Sequence, residues 1–337
     1  MKRRAFIGAT AAALVASRRP ARATGGRDIA DSATQHNMRV LLATGSFASA
    51  RQLDAWHFVW SGRTYRGTFA GVPLPDGRQA LVNTLPLDAY LYGVLSKEVS
   101  ASWPAAAQQA QAIASRTYAL GKLRPAKPFD IVAGEIDQAY GGIESETVEG
   151  RAAVDATGGI IATYGDLPAR IVYSACCGGR TADAGDVWNT PYAYLTSIAD
   201  PYCAGTPSFE WQTDIGVDAV VGAYRAQFAG IGSLRAVEIH SDDPGGRPRS
   251  IDFVGSNSTF ATTPSAFRAS LGPSVVRSAF VRGAVLQRAG TSLALSGTGR
   301  GHGVGMCQWG ARVMGERGHT PLDIVAFYFP GTAFGRG

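Results

Sequence analysis

The sequence predicts an α+β fold, rich in strands, with one helical segment carrying a candidate carboxyl group and a smaller strand-rich lobe. Three observations lead there. Short apolar runs broken by turn signals fill residues 37–83, and two runs with helical spacing follow directly. The 42 glycines and 17 prolines, spread through 337 residues without heptads or repeats, describe a turn-rich chain.

The opening residues read as an export signal. Lys2-Arg3-Arg4-Ala5-Phe6-Ile7 begins on basic residues, an apolar run covers Ala5 to Ala16, and Ala21-Arg22-Ala23 reads as a small-residue cleavage site. Residues 1–23 are therefore expected to be removed. A permanent membrane anchor needs about 20 apolar residues, and this run is shorter. Its mild apolarity, with Arg18, Arg19 and Arg22 beyond it, fits a twin-arginine signal better than an ordinary secretory one. The expected location is the periplasm or cell envelope. Six of the 32 basic residues lie in this leader, leaving 26 against 26 acidic ones. A formally neutral remainder carries no electrostatic footprint for nucleic acid.

Strands are expected at Met38–Ala43, at His57–Trp60 before the Ser61-Gly62 turn, at Thr64–Phe69, and at Ala80–Val82 after the turn Pro73–Gly77. In Leu87–Leu95 the apolar residues 87, 91 and 94 share one helical face. A second helix starts near Pro104 and runs through Ala105–Leu120, with Lys122 and Pro125 marking its end. Its small residues Ala106, Ala110 and Ala114 would let another element approach closely. A short helix at Ala152–Ala156 and strands at Ile160–Tyr164 and Ala169–Tyr173 follow. Residues 205–280 read as a strand-rich insertion or a small second lobe, with strands at Ala236–Ile239 and Ile251–Val254 and a helix at Pro264–Leu271. Thr320-Pro321-Leu322-Asp323 is a cap-like start for a helix that Pro330-Gly331 stops.

Glu98 is the first candidate for chemistry. Continued to that position, the first helix puts it roughly 20° from Leu87, on the apolar face. A carboxyl kept from water has its charged form disfavoured, which prepares it to donate a proton near neutral pH. Arg116 could clamp a carboxylate or form a structural pair. Ser174, ahead of Gly178-Gly179-Arg180-Thr181, follows a strand, and no G-x-S-x-G surrounds it. Gly297–Gly305 holds His302 but lacks the Gly-Lys-Ser/Thr ending of a phosphate loop. Cys176, Cys177, Cys203 and Cys307 match no standard zinc spacing. Disulfides are the first expectation in an oxidising compartment, and a four-thiolate zinc site is the alternative.

In order and spacing, several segments together resemble the stage II sporulation protein D (SpoIID/LytB) family. They are Leu85–Val94, Lys97–Pro104, Ala110–Ala119, Gln138-Ala139-Tyr140-Gly141-Gly142, Tyr173-Ser174 with Gly178–Thr181, Val187-Trp188, and Gly301–Ala311. The resemblance covers most of residues 37–333 and implies a peptidoglycan lytic transglycosylase acting on glycan strands that have lost their stem peptides. Glu98-Val99-Ser100 stands where the family has a Glu-Met-Pro-like segment, so the resemblance implies that Glu98 is the general acid and base. It also implies sugar contacts from Arg116, Gln138, Tyr140, Ser174, Thr181, His302 and Gln308. Family members reported to bind zinc use a histidine ligand, which has no evident counterpart here. No cofactor is required by the implied reaction, and zinc would be a structural ion. Because Asp88 lies about 100° around the helix from Leu87, it is a poor second carboxylate. The family also includes non-catalytic wall-binding proteins that stimulate a cell-wall amidase, and this is the alternative role.

Overall fold

The computed structural model describes residues 36–134, 136–242 and 246–336. The expected leader lies outside the described residues. The helices are α1 (Leu87–Glu98), α2 (Ala105–Leu120), α3 (Val148–Ala156), α4 (Ala184–Trp188), α5 (Val217–Ala223), α6 (Arg225–Phe228), α7 (Pro264–Leu271), α8 (Gln308–Glu316) and α9 (Pro321–Tyr328). Together with several small sheets they form an α+β fold.

The strand Gln79–Pro86 organises the N-terminal part. It pairs antiparallel with Asn37–Thr44 on one side and Thr68–Pro73 on the other, and Ile131–Val132 adds parallel to Asn37–Thr44. The chain passes from Gln79–Pro86 straight into α1. Leu87, Tyr90, Leu91, Val94 and Leu95 are buried, the three-and-four spacing of one helical face. They pack with Met38, Val40 and Leu85 from the sheet in one hydrophobic cluster.

Helix α2 is the centre of the molecule. It packs against α1 and α3, and also against α8, α9 and the strand Ile160–Tyr164. Its small residues permit this. Ala110 and Ala114 join Met314, Ile324 and Val325 in a second cluster, and α8 rides close over the start of α2. A Cβ on Gly315 would meet the Pro104 Cβ at 3.0 Å. The expected start of α9 is a complete capping box between Thr320 and Asp323, with Pro321 in the first turn.

One sequence expectation is corrected. The strand expected at 169–173 is reduced to short pairings at Leu167–Pro168 and Tyr173–Ser174. Between them Arg170 donates its N–H to the Tyr194 hydroxyl at 2.7 Å, and the Val172 carbonyl accepts from Met306 N at 3.0 Å, so the backbone is satisfied without a regular ladder. A third hydrophobic cluster runs from Trp211 to Leu295, past the expected limit of 280. It does so because Glu210–Gly216 pairs with Ser292–Thr298, which in turn pairs with Val281–Gln287. No described helix is long and apolar enough to cross a membrane.

Candidate active site

Glu98 is the last residue of α1, and Val99 leaves the helix with its N–H bound to the Leu95 carbonyl. Val99 is buried in the first cluster, while Ser100 is exposed and turns the chain through contacts with Ser102. The helix C-terminus carries partial negative charge, a poor neighbour for a carboxylate. Burial raises the Glu98 pKa above its ordinary value, and hydrogen bonds involving Gln308, the Ala139 backbone and Tyr173 offset only part of that rise. Gln308 Nε2 lies 3.3 Å from Glu98 Oε2 and 3.3 Å from Gln111 Oε1.

A polar scaffold stands behind this carboxyl. Gln138 donates from Nε2 to the Tyr173 hydroxyl at 2.8 Å and accepts from the Tyr90 hydroxyl at 3.1 Å. The Tyr173 hydroxyl also meets Ser115 Oγ at 3.3 Å. Tyr173 and Ser174 are held by their parallel pairing with Met306 and Cys307, which brings the 173–178 and 297–308 segments together. The glycines of the second segment make that approach feasible. Gly305 has φ of +70° and a Cβ there would meet the Val172 carbonyl oxygen at 2.2 Å.

Glu98 opens onto a cleft of about 970 Å³ that Tyr173, Ser174, Trp188, His302 and Gln308 also line. The His302 ring lies 5.1 Å from the Trp188 ring, and its Nδ1 accepts from Val304 N at 3.0 Å. Burial pushes the His302 pKa down to about 4, so at neutral pH it is an uncharged ring beside the cleft. Arg170, Arg268, Arg277 and Arg300 line the same cleft. Among the described residues none of the four has a carboxylate partner, whereas Lys122 is paired with Asp137 at 2.6 Å.

The cleft also holds Asp137, a carboxylate that sequence reasoning missed. Burial acts to raise its pKa, but donors on Lys122, Val132 and Tyr118 outweigh it and hold the group below its ordinary value. Glu98 and Asp137 thus have opposite tendencies: one favours its neutral acid, the other its ion. Asp88 is engaged in an ion pair with Arg116.

Of the residues expected at sugar, Ser174, His302 and Gln308 line the cleft together with Glu98. Gln138 is 1% exposed and supports Tyr173 from behind. The structure places three others away from the cleft lining. Arg116 is 0% exposed, and its guanidinium is consumed by Asp88 at 2.9 Å and by Thr157 and the carbonyls of Val154 and Ile160. It ties α1, α2 and α3 together. Tyr140 is buried among Tyr65 and Tyr90 with its hydroxyl on Asn83 Oδ1 at 3.0 Å. Thr181 is buried and bridges the Thr196 carbonyl and the Ile198 N–H. The four cysteines are separate buried thiols, so the disulfides expected first are absent from the structure.

Trp188 and Tyr173 could have been found from the motifs that contain them. The arginines could not, because they come from three separate segments that only tertiary folding brings together.

The stage II sporulation protein (SpoIID) family model matches residues 75–164, the stretch that contains α1, Glu98 and α2. An uncharacterized protein of Brachyspira hyodysenteriae is 31% identical over 277 residues, covering 81% of this chain and 73% of that protein. Stage II sporulation protein D of Bacillus subtilis is 25% identical over 289 residues, 80% of each chain. The amidase enhancer of Bacillus subtilis is 27% identical over 287 residues, 72% of this chain but 40% of that protein.

Proposed function

The chain belongs to the stage II sporulation protein D family, and on that premise we propose that it is an exported peptidoglycan lytic transglycosylase with Glu98 as its general acid and base. A cell-wall-related role follows from the family. The finer reading is carried by one observation: a half-buried carboxyl with a raised pKa and, among the described residues, no cationic partner, opening onto a large cleft. Such a group holds a proton where an exposed glutamate would have lost it.

In the proposed reaction Glu98 gives its proton to the glycosidic oxygen leaving N-acetylmuramic acid, as an oxocarbenium-like state develops at the anomeric carbon. The ionised Glu98 then takes the proton of the same sugar's 6-hydroxyl, whose oxygen bonds to that carbon. The glycosidic bond breaks, a 1,6-anhydro ring forms, and Glu98 recovers its proton. No water is consumed. The nucleophile is already tethered to the reacting sugar, so one carboxyl suffices. The cleft arginines, without a carboxylate partner among the described residues, suit muramic acid, which carries a free lactyl carboxylate once its stem peptide is gone. Ser174, His302 and Gln308 are the proposed sugar contacts, with Gln138 positioning Tyr173. Asp137 is held in place by its three donors and has no step in this reaction.

A second reading has a specific basis in the relative named an amidase enhancer. There the cleft binds glycan without cleaving it, and the protein stimulates an N-acetylmuramoyl-L-alanine amidase. Mass spectrometry of denuded glycan strands treated with purified protein separates the two. The enzyme yields fragments ending in anhydro-muramic acid, and Glu98→Gln removes them with a rate loss of about 100- to 10,000-fold. Intact strands under conditions where the protein binds them and accelerates an amidase would favour the second reading.

A further inference from the structure

We propose that Cys177, Cys203, Cys307 and Asp200 hold a structural zinc ion behind the cleft. The ligand atoms of these four buried residues lie within 4.8 Å of one another, although they come from three distant segments. The Cys177 and Cys203 sulfurs are 3.6 Å apart. A tetrahedron with metal–sulfur bonds of about 2.3 Å has edges of about 3.8 Å, whereas a disulfide closes to about 2.05 Å. The spacing is that of two ligands sharing one ion.

The surroundings suit thiolates. Cys307 Sγ accepts from Cys177 N and Gly310 N, both at 3.3 Å, and Cys203 Sγ accepts from Gly179 N at 3.3 Å. Backbone donors of this kind orient thiolate ligands and stabilise their charge. The Asp200 carboxylate is fixed in turn: Tyr328 donates to Oδ2 at 3.0 Å and Tyr202 N to Oδ1 at 2.9 Å. Space is reserved for it, since a Cβ on Gly310 would fall 2.0 Å from the Tyr328 hydroxyl and 2.6 Å from Asp200 Oδ2. Three thiolates and a carboxylate around a divalent ion leave an excess of negative charge. Arg247, half-buried and bound to the Cys177 carbonyl at 2.8 Å, puts a positive group nearby, and its Nη2 has no hydrogen-bond partner among the described residues.

Three soft sulfurs and one oxygen select zinc over magnesium or calcium, and a closed four-ligand shell makes the ion structural. It would tie the segments 173–177, 200–203 and 306–310 together. Cys307 directly precedes Gln308, so the ion would also fix the residue that meets Glu98.

The proposal does not depend on the catalytic reading, and its test needs no activity. The protein, purified without chelator, should carry one zinc per chain by elemental analysis and native mass spectrometry. Replacing zinc with cobalt(II) should give thiolate charge-transfer bands and the intense visible bands of a tetrahedral site. Cys203→Ser and Asp200→Asn should each lower zinc affinity by at least tenfold, while Cys176→Ser should keep one equivalent. Removing the ion with a chelator should lower Tm. A disulfide among the four cysteines in peptide mapping would overturn the site, as would iron, copper or no bound metal. Zinc retained by Asp200→Asn but lost by Cys176→Ser would overturn the ligand set.

Discussion

Glu98 sits where ionisation is costly, and its neighbours set how costly. Burial raises its pKa, and the hydrogen bond from Gln308 lowers it in part. Gln308→Ala removes a donor to the charged form, so the Glu98 pKa should rise further. The protonated acid then survives to higher pH, and the alkaline fall of kcat/KM should move upward in a pH–rate profile. A shift downward would contradict the assigned role. Arg116 works differently. Arg116→Ala leaves Asp88 and two buried carbonyls without their donor. The expected cost is about 3 kcal/mol in denaturant unfolding, toward the low end for a broken buried pair because Asp88 keeps some solvent contact. Below its melting temperature the variant should still form anhydro-sugar ends. Helical phase made the direction of Glu98 legible in the sequence. The burial of Arg116 and Tyr140 was not legible, because a motif fixes a residue's identity and not which way its polar end finds partners.

At the scale of elements, the site depends on two helix ends meeting: the C-terminus of α1 brings Glu98 and the N-terminus of α8 brings Gln308. Gly310 allows that meeting, since α8 has room there only for a hydrogen against Tyr328 and Asp200. Gly310→Ala should push the start of α8 outward, lower stability by about 1–3 kcal/mol, and reduce kcat as Gln308 leaves Glu98. Paired thermal denaturation and rate measurements check both effects, and an unchanged kcat would separate α8 from the chemistry. The periodicity of α1 and α2 and the cap of α9 were readable in the sequence because one local pattern defines each. Helix α8 was not expected, since it begins just past the glycine run 297–305, and the pairing of 210–216 with 292–298 joins stretches about 80 residues apart.

Across the whole molecule, the cleft is shared between the part that carries Glu98 and the lobe gathered around Trp211 to Leu295. Arg268 and Arg277 come from the lobe and Arg170 and Arg300 from outside it. Formal neutrality of residues 24–337 conceals this local excess of positive charge. Arg277→Ala combined with Arg300→Ala should raise KM for denuded strands. It should also flatten the rise of KM with salt, because charged contacts to the substrate are screened as ionic strength increases. An unchanged KM and salt response would remove the arginines from substrate binding.

The central claim is that Glu98 needs no second carboxylate because the sugar supplies its own nucleophile. Asp137, in the same cleft, makes that claim worth testing directly. The measurement is mass spectrometry of glycan products formed in water enriched in oxygen-18. Internal attack by the 6-hydroxyl predicts anhydro ends that carry no label. Labelled reducing ends, lost in Asp137→Asn, would show that water enters and that two carboxylates share the work.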